Sequence, residues 1–177
     1  VNYDMSKIKV AYIDIETSSE NGFPDVRSAT EEVLAVSIKM GKDFRVYGCG
    51  SYDPQPGVKY ISCVDEKNLL LEFVNDWMMN YPDVITGWNS RFFDIPYMVN
   101  RIRNVLGEKI ANKLSPWGWF RESEVTLVGN RKQQVYDLIG ISSIDYLDAY
   151  KKFTYINRES YSLNHIAYAE LGEKKLD

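Results

Sequence analysis

Residues 10–17, Val-Ala-Tyr-Ile-Asp-Ile-Glu-Thr, alternate in character along the chain. As a strand, Ala11, Ile13 and Ile15 take a core face, while Asp14 and Glu16 share the other face at its carboxyl end. Val33 to Met40 is rich in β-branched residues, Gly41-Lys42 turns, and Phe44 to Tyr47 alternates, which predicts a hairpin. Pro54, Pro56 and Gly57 mark a loop. Asp65 is placed to cap a helix over about 66–80, whose Leu69, Leu70, Phe73, Val74 and Trp77 recur at helical spacing before Pro82 stops it. Val84 to Asn89 predicts a short buried strand, and a second helix starts near Asp94 with Pro96 in its first turn and Tyr97, Met98, Ile102 and Leu106 on one stripe. Ser115 to Phe120 reads as a loop. Residues 124–128 and 134–138, joined by a turn at Gly129-Asn130-Arg131, predict a second hairpin. Ile141 to Tyr150 fits strand or helix, and Ser162 caps a last helix that ends near Gly172.

Strands that precede helices around one sheet predict an α/β layer fold with a mixed sheet. In such sheets a site lies outside the carboxyl ends of the strands. Asp14/Glu16 and Trp88/Asn89 both end strands, and Asp94 lies just beyond the second, so the three acids are expected to meet there. The 177 residues, 45% apolar and 14% aromatic, suit one domain with a real core. No run of ~18 apolar residues predicts a membrane span. There is no secretory start, and residue 1 is Val, so the chain reads as an excised piece. Cys49 and Cys63 form no metal pattern, and a reducing cytoplasm, of a bacterial host if viral, is the expected setting. His165 is the sole histidine, so catalysis would rest on carboxylates, metal, Tyr or Lys.

Net charge is −4, but it is uneven: residues 1–90 carry 8 basic and 14 acidic side chains, whereas residues 91–132 carry 8 basic against 4 acidic. A basic middle beside an acidic pocket suits a phosphate backbone delivered to metal ions, though an ordinary mixed surface reads the same way. Two neighbouring acids repel each other. Hard divalent cations such as Mg²⁺ or Mn²⁺ offset that repulsion; two solvated surface acids are the plain alternative. With Asp94, the set fits two ions ~4 Å apart on either side of a phosphodiester, with water as nucleophile.

Asp14-Ile15-Glu16-Thr17 resembles the Exo I motif of the DEDD 3′→5′ exonucleases, and Thr86-Gly87-Trp88-Asn89-Ser90-Arg91-Phe92-Phe93-Asp94-Ile95-Pro96-Tyr97 resembles the Exo II motif of family B DNA polymerases. Leu114-Ser115-Pro116, residues 145–153 and Ser160-Tyr161-Ser162-Leu163 are similar to the T-even-type phage members. The resemblance covers roughly residues 8–177. It implies an RNase H-like fold and proofreading of a frayed primer 3′ end. Carried over by motif position, Asp14, Glu16 and Asp94 are metal ligands for two Mg²⁺ or Mn²⁺ ions, and Glu16 helps place the attacking water. Thr17, Asn89 and Phe93 contact the terminal nucleotide, Phe93 by stacking. The second hairpin resembles one that helps hold primer and template apart, with Arg131 and Lys132 facing phosphates. The implied partners are single-stranded or frayed primer–template DNA, further polymerase domains in cis and a sliding clamp.

One departure matters. The family's fourth carboxylate comes from a Tyr-x-x-x-Asp motif, and no tyrosine after Asp94 has Asp four places on. The expectation is truncation before that motif, three ligands of four, and weak activity alone. Asp145 and Asp148 read as structural acids instead. Trp88 and Phe92 read as packing residues, and His165 as a surface or capping residue. A free-standing DEDD exonuclease, a haloacid-dehalogenase-type phosphatase and a non-catalytic single-strand-binding module are the competing readings.

Overall fold

The computed structural model describes residues 4–20, 22–127, 129–130 and 132–174. Strands β1 (Val10–Thr17), β2 (Val33–Met40), β3 (Asp43–Cys49) and β4 (Val58–Cys63) come first, followed by α1 (Glu66–Met79), β5 (Val84–Gly87), α2 (Asp94–Leu106) and a single turn α3 (Glu108–Ala111). A hairpin of β6 (Phe120–Thr126) and β7 (Lys132–Leu138) precedes β8 (Ser142–Asp145), α4 (Tyr146–Phe153) and α5 (Leu163–Leu171).

Six strands form one mixed sheet in the order β4-β3-β2-β1-β5-β8. β2 is antiparallel to β1 and β3, whereas β1/β5, β5/β8 and β3/β4 run parallel. This is the mixed, helix-flanked sheet that the α/β, RNase H-like expectation requires. β1 alternates as its sequence predicts: Ala11, Ile13 and Ile15 are buried, and Tyr12, Asp14 and Glu16 are exposed. The buried side joins Val33, Val36, Ile38 and Tyr47 to the apolar stripes of α1 and α2 in one core. Asp65 caps α1 by accepting from the Asn68 N–H at 2.7 Å. The buried Trp77 indole donates to Leu114 O at 2.8 Å, so the aromatic leaves no orphan donor.

Several boundaries move. β4 was not expected: its six residues find their partner only in β3, to which they add as a parallel edge. The second hairpin starts four residues early, at Phe120, because that ring packs edge-on against Tyr136 at 5.2 Å and carries the Arg103 guanidinium. Residues 141–150 are both strand and helix, divided at Asp145. The basic middle is partly turned inward. Arg101 makes a two-pronged ion pair with Glu66 (2.7 and 2.6 Å) and also donates to Thr30 O, while Arg103 pairs with Glu108. Those two guanidiniums tie elements together and are not a phosphate track. Among the described residues no helix is long and apolar enough to cross a membrane.

Candidate functional site

The end of β1 is irregular. Register with β2 shifts between Glu16 and Thr17, and the half-buried Thr17 stands opposite Val33. Such bulges bend a strand and re-aim its side chains, and they are common beside active sites. Asp14 and Glu16 leave the sheet on its exposed face just before this bend.

β5 brings the second acid. It runs parallel to β1 and ends at Gly87, where an added Cβ would stand 2.5 Å from Ile13 O, a closeness only glycine permits. The chain then reverses through Asn89, which takes a left-handed φ of 64° and whose carbonyl accepts the N–H groups of Phe92 and Phe93. Asparagine is one of the few non-glycine residues that tolerates this conformation. α2 starts at Asp94, and the Asp94 carboxylate accepts the Ile15 N–H at 3.0 Å. That bond links the strand between the two β1 acids to a residue 79 positions away.

Asp94 is only 3% exposed. Burial is the main cause that lifts its pKa from 3.8 to about 7, with the charge of Asp14 next; the Ile15 N–H pulls the other way, and Asp145 adds a smaller upward push. So Asp14 and Asp94 lie within electrostatic reach of each other. Among the described residues, however, no group of three or more His, Cys, Asp or Glu side chains is close enough to hold a metal ion. Thr86 Oγ1 and Ser90 Oγ, on either side of the turn, are buried without a hydrogen-bond partner.

Asn89, Phe93 and Lys132 line a cleft of about 670 Å³ with Phe23, Gln133 and Lys151. Its lining among the described residues does not include Asp14, Glu16, Thr17 or Asp94. Phe93 is half-buried, with its ring 5.6 Å from both Tyr97 and Phe23. Phe23, 85% exposed, escaped the sequence reading, and Lys151 entered it only as part of the 145–153 stretch; a lone aromatic between Gly22 and Pro24 in a polar loop was the available signal for Phe23. Lys132 is exposed and pairs with Glu124 at 3.3 Å, which also holds Arg27 at 2.5 Å. Arg131 lies outside the described residues. Trp88 is a packing residue: its indole donates to Tyr161 O, and its ring centroid is 6.0 Å from that of Tyr146 and 5.9 Å from that of Tyr150. His165 sits in α5, where its backbone N–H meets the capping Ser162 hydroxyl.

A mixed sheet with two acids ending its first strand, and a third opening the helix after the parallel neighbour, is the frame of an RNase H-like exonuclease. The chain belongs to the exonuclease domain of DNA polymerase family B, whose family model matches residues 2–166. It is 35% identical over 206 residues to the DNA-directed DNA polymerase of Escherichia phage RB69, covering 99% of this chain and 22% of that one. Against the DNA-directed DNA polymerase of Enterobacteria phage T4 the identity is 31% over 202 residues, 98% of this chain and 22% of the relative. The DNA polymerase delta catalytic subunit of Mesocricetus auratus is 26% identical over 187 residues, 98% of this chain and 16% of that one. The chain thus spans about a fifth of the length of these phage relatives.

Proposed function

We propose that this chain is the 3′→5′ proofreading segment of a DNA-directed DNA polymerase, removing mispaired nucleotides from a primer 3′ end by phosphodiester hydrolysis. One observation carries the reading: the N–H between the two β1 acids donates to Asp94, which draws the two motifs together at one rim of the sheet. The substrate is single-stranded or frayed primer–template DNA. The partners are the remaining polymerase domains in cis and a sliding clamp, and the setting is the host cytoplasm.

The donor chemistry suits Mg²⁺ or Mn²⁺. All three groups are hard oxygen ligands, and Asp94 is an acid whose anion is disfavoured by burial and by Asp14 until a cation compensates it. Asp14, Glu16 and Asp94 would hold the two ions, which would supply Lewis acidity at the scissile phosphate. A fourth carboxylate, from a Tyr-x-x-x-Asp beyond residue 177, belongs to the proposal, as does weak activity of residues 1–177 alone.

The chain's own residues bind and orient. Phe93, backed by Tyr97 and flanked by Phe23, offers a face on which an unpaired base stacks whatever its identity. Asn89 and Thr17 contact the terminal nucleotide, while Lys132 and Arg131 meet phosphates from the hairpin. Glu16 orients the attacking water. In the full-length protein, Asp14→Ala with Glu16→Ala abolishes excision and leaves polymerisation intact; undiminished degradation of single strands by that variant rejects the assignment.

A further inference from the structure

Asp145 ends β8 in register with Gly87 of β5, 5% exposed, and its carboxylate accepts four backbone N–H groups. Two of its bonds are those of an ordinary helix cap: it accepts the N–H groups of Leu147 (2.9 Å) and Asp148 (3.3 Å) at the start of α4. The other two reach elsewhere. It accepts the Arg91 N–H at 2.9 Å and the Asn89 N–H at 3.2 Å, from a turn more than fifty positions earlier in the chain. A cap for α4 needs only the first pair. The second pair fixes the turn between β5 and α2 at the residue that takes the left-handed φ.

Resting on the excision function proposed above, we infer that Asp145 is a positioning residue. By gathering the N–H groups of Asn89 and Arg91, it holds the turn that presents Asn89 and Phe93 to the terminal nucleotide. Both its oxygens accept backbone donors, Oδ1 from Asn89, Leu147 and Asp148 and Oδ2 from Arg91, the bonding of a structural acid. Asp145 is thus the side chain that receives both the Asn89 and the Arg91 N–H. Losing the carboxylate strands two partly buried donors, and the turn relaxes to find water. Asp94 has its own anchor, the Ile15 N–H, and stays in place. The effect therefore falls on substrate binding more than on the chemical step.

Asp145→Ser in the full-length protein separates the two roles. Serine caps a helix well, but its single, shorter hydroxyl cannot also span to the turn. Excision of single-stranded oligothymidylate with Mn²⁺, anisotropy of the same oligonucleotide in EDTA, thermal melting and polymerisation on a paired primer are measured together. The expected result is KM raised about tenfold with kcat within about threefold, and binding weakened about tenfold. Melting shifts by only a few degrees, and polymerisation is unchanged. Unaltered KM and binding reduce Asp145 to a helix cap and overturn the inference. Should Asp145→Ser fail to fold, Asp145→Asn carries the same test, since it keeps the volume and one acceptor but sets an NH₂ against a backbone donor. Asp94→Ala runs in parallel: if it retains excision, the site assignment has failed and not the clamp.

Discussion

Asp94 and Asp145 stand on either side of one turn, both nearly inaccessible, and are held in opposite ways. Four backbone N–H groups surround the Asp145 carboxylate. Asp94 takes the N–H of Ile15 and its own backbone N–H, but burial and the charge of Asp14 outweigh them, so its pKa climbs to about 7. A buried carboxylate saturated with donors is part of the scaffold. One held by fewer donors and within reach of another acid has its charged form disfavoured, and under the proposed function a divalent cation would compensate it.

The strongest way to break this contrast is to remove each acid. Asp94→Asn is expected to cut excision by more than the ~100-fold that loss of an outer partner of a metal ligand costs, while leaving the melting temperature equal or higher, because the uncompensated buried acid is gone and the amide oxygen still accepts the Ile15 N–H. Asp145→Ala does the reverse to stability: it strands donors and removes a cap, costing about 2–4 kcal/mol in urea unfolding. If both variants lose stability alike, the contrast is wrong.

Gly87→Ala tests the frame between them. Its Cβ would meet Ile13 O at 2.5 Å, so β1 and β5 must part where Asp14 and Asp94 approach each other. A loss of about 1–3 kcal/mol, with excision falling further than polymerisation, is expected.

The pH dependence sharpens the reading of Asp94. Its pKa is raised on folding, from 3.8 to about 7, so between those values the native state holds more protons than the unfolded chain. Stability attributable to this group therefore falls as pH rises from about 4 to 7, and is flat outside that window. Urea midpoints of the wild type minus those of Asp94→Asn should show this slope, and saturating Mn²⁺ should flatten it. A difference that rises with pH overturns the assignment of cause.

The smallest effect belongs to Lys132→Ala. Its pair with Glu124 is exposed on both sides, so stability changes by well under 1 kcal/mol, whereas the salt slope of single-strand binding drops by about one.

Much of this was legible in the linear chain. The alternation of residues 10–17 placed Asp14 and Glu16 on one face, and the stripes of α1 and α2 marked the core, because side-chain period follows directly from backbone geometry. Asp65 and Ser162 cap where they were expected to. β4 was not legible, since a parallel edge strand draws its pairing from a distant partner, and Val58–Cys63 carries no turn signal toward β3. Nor was the division of residues 141–150, which the Asp145 side chain decides by capping α4.

Sequence by itself determined most of the secondary elements, the shared face of Asp14 and Glu16 and the family motifs, all of which depend on spacing within a few residues. Tertiary structure alone decided that Arg101 turns inward to Glu66, that Ile15 meets Asp94, and that Asp145 grips the turn before it. Those contacts span 35, 79 and 54 residues. Charge and hydrogen-bonding capacity are visible in a side chain, but which donor answers them is settled only when the sheet order places distant strand ends side by side.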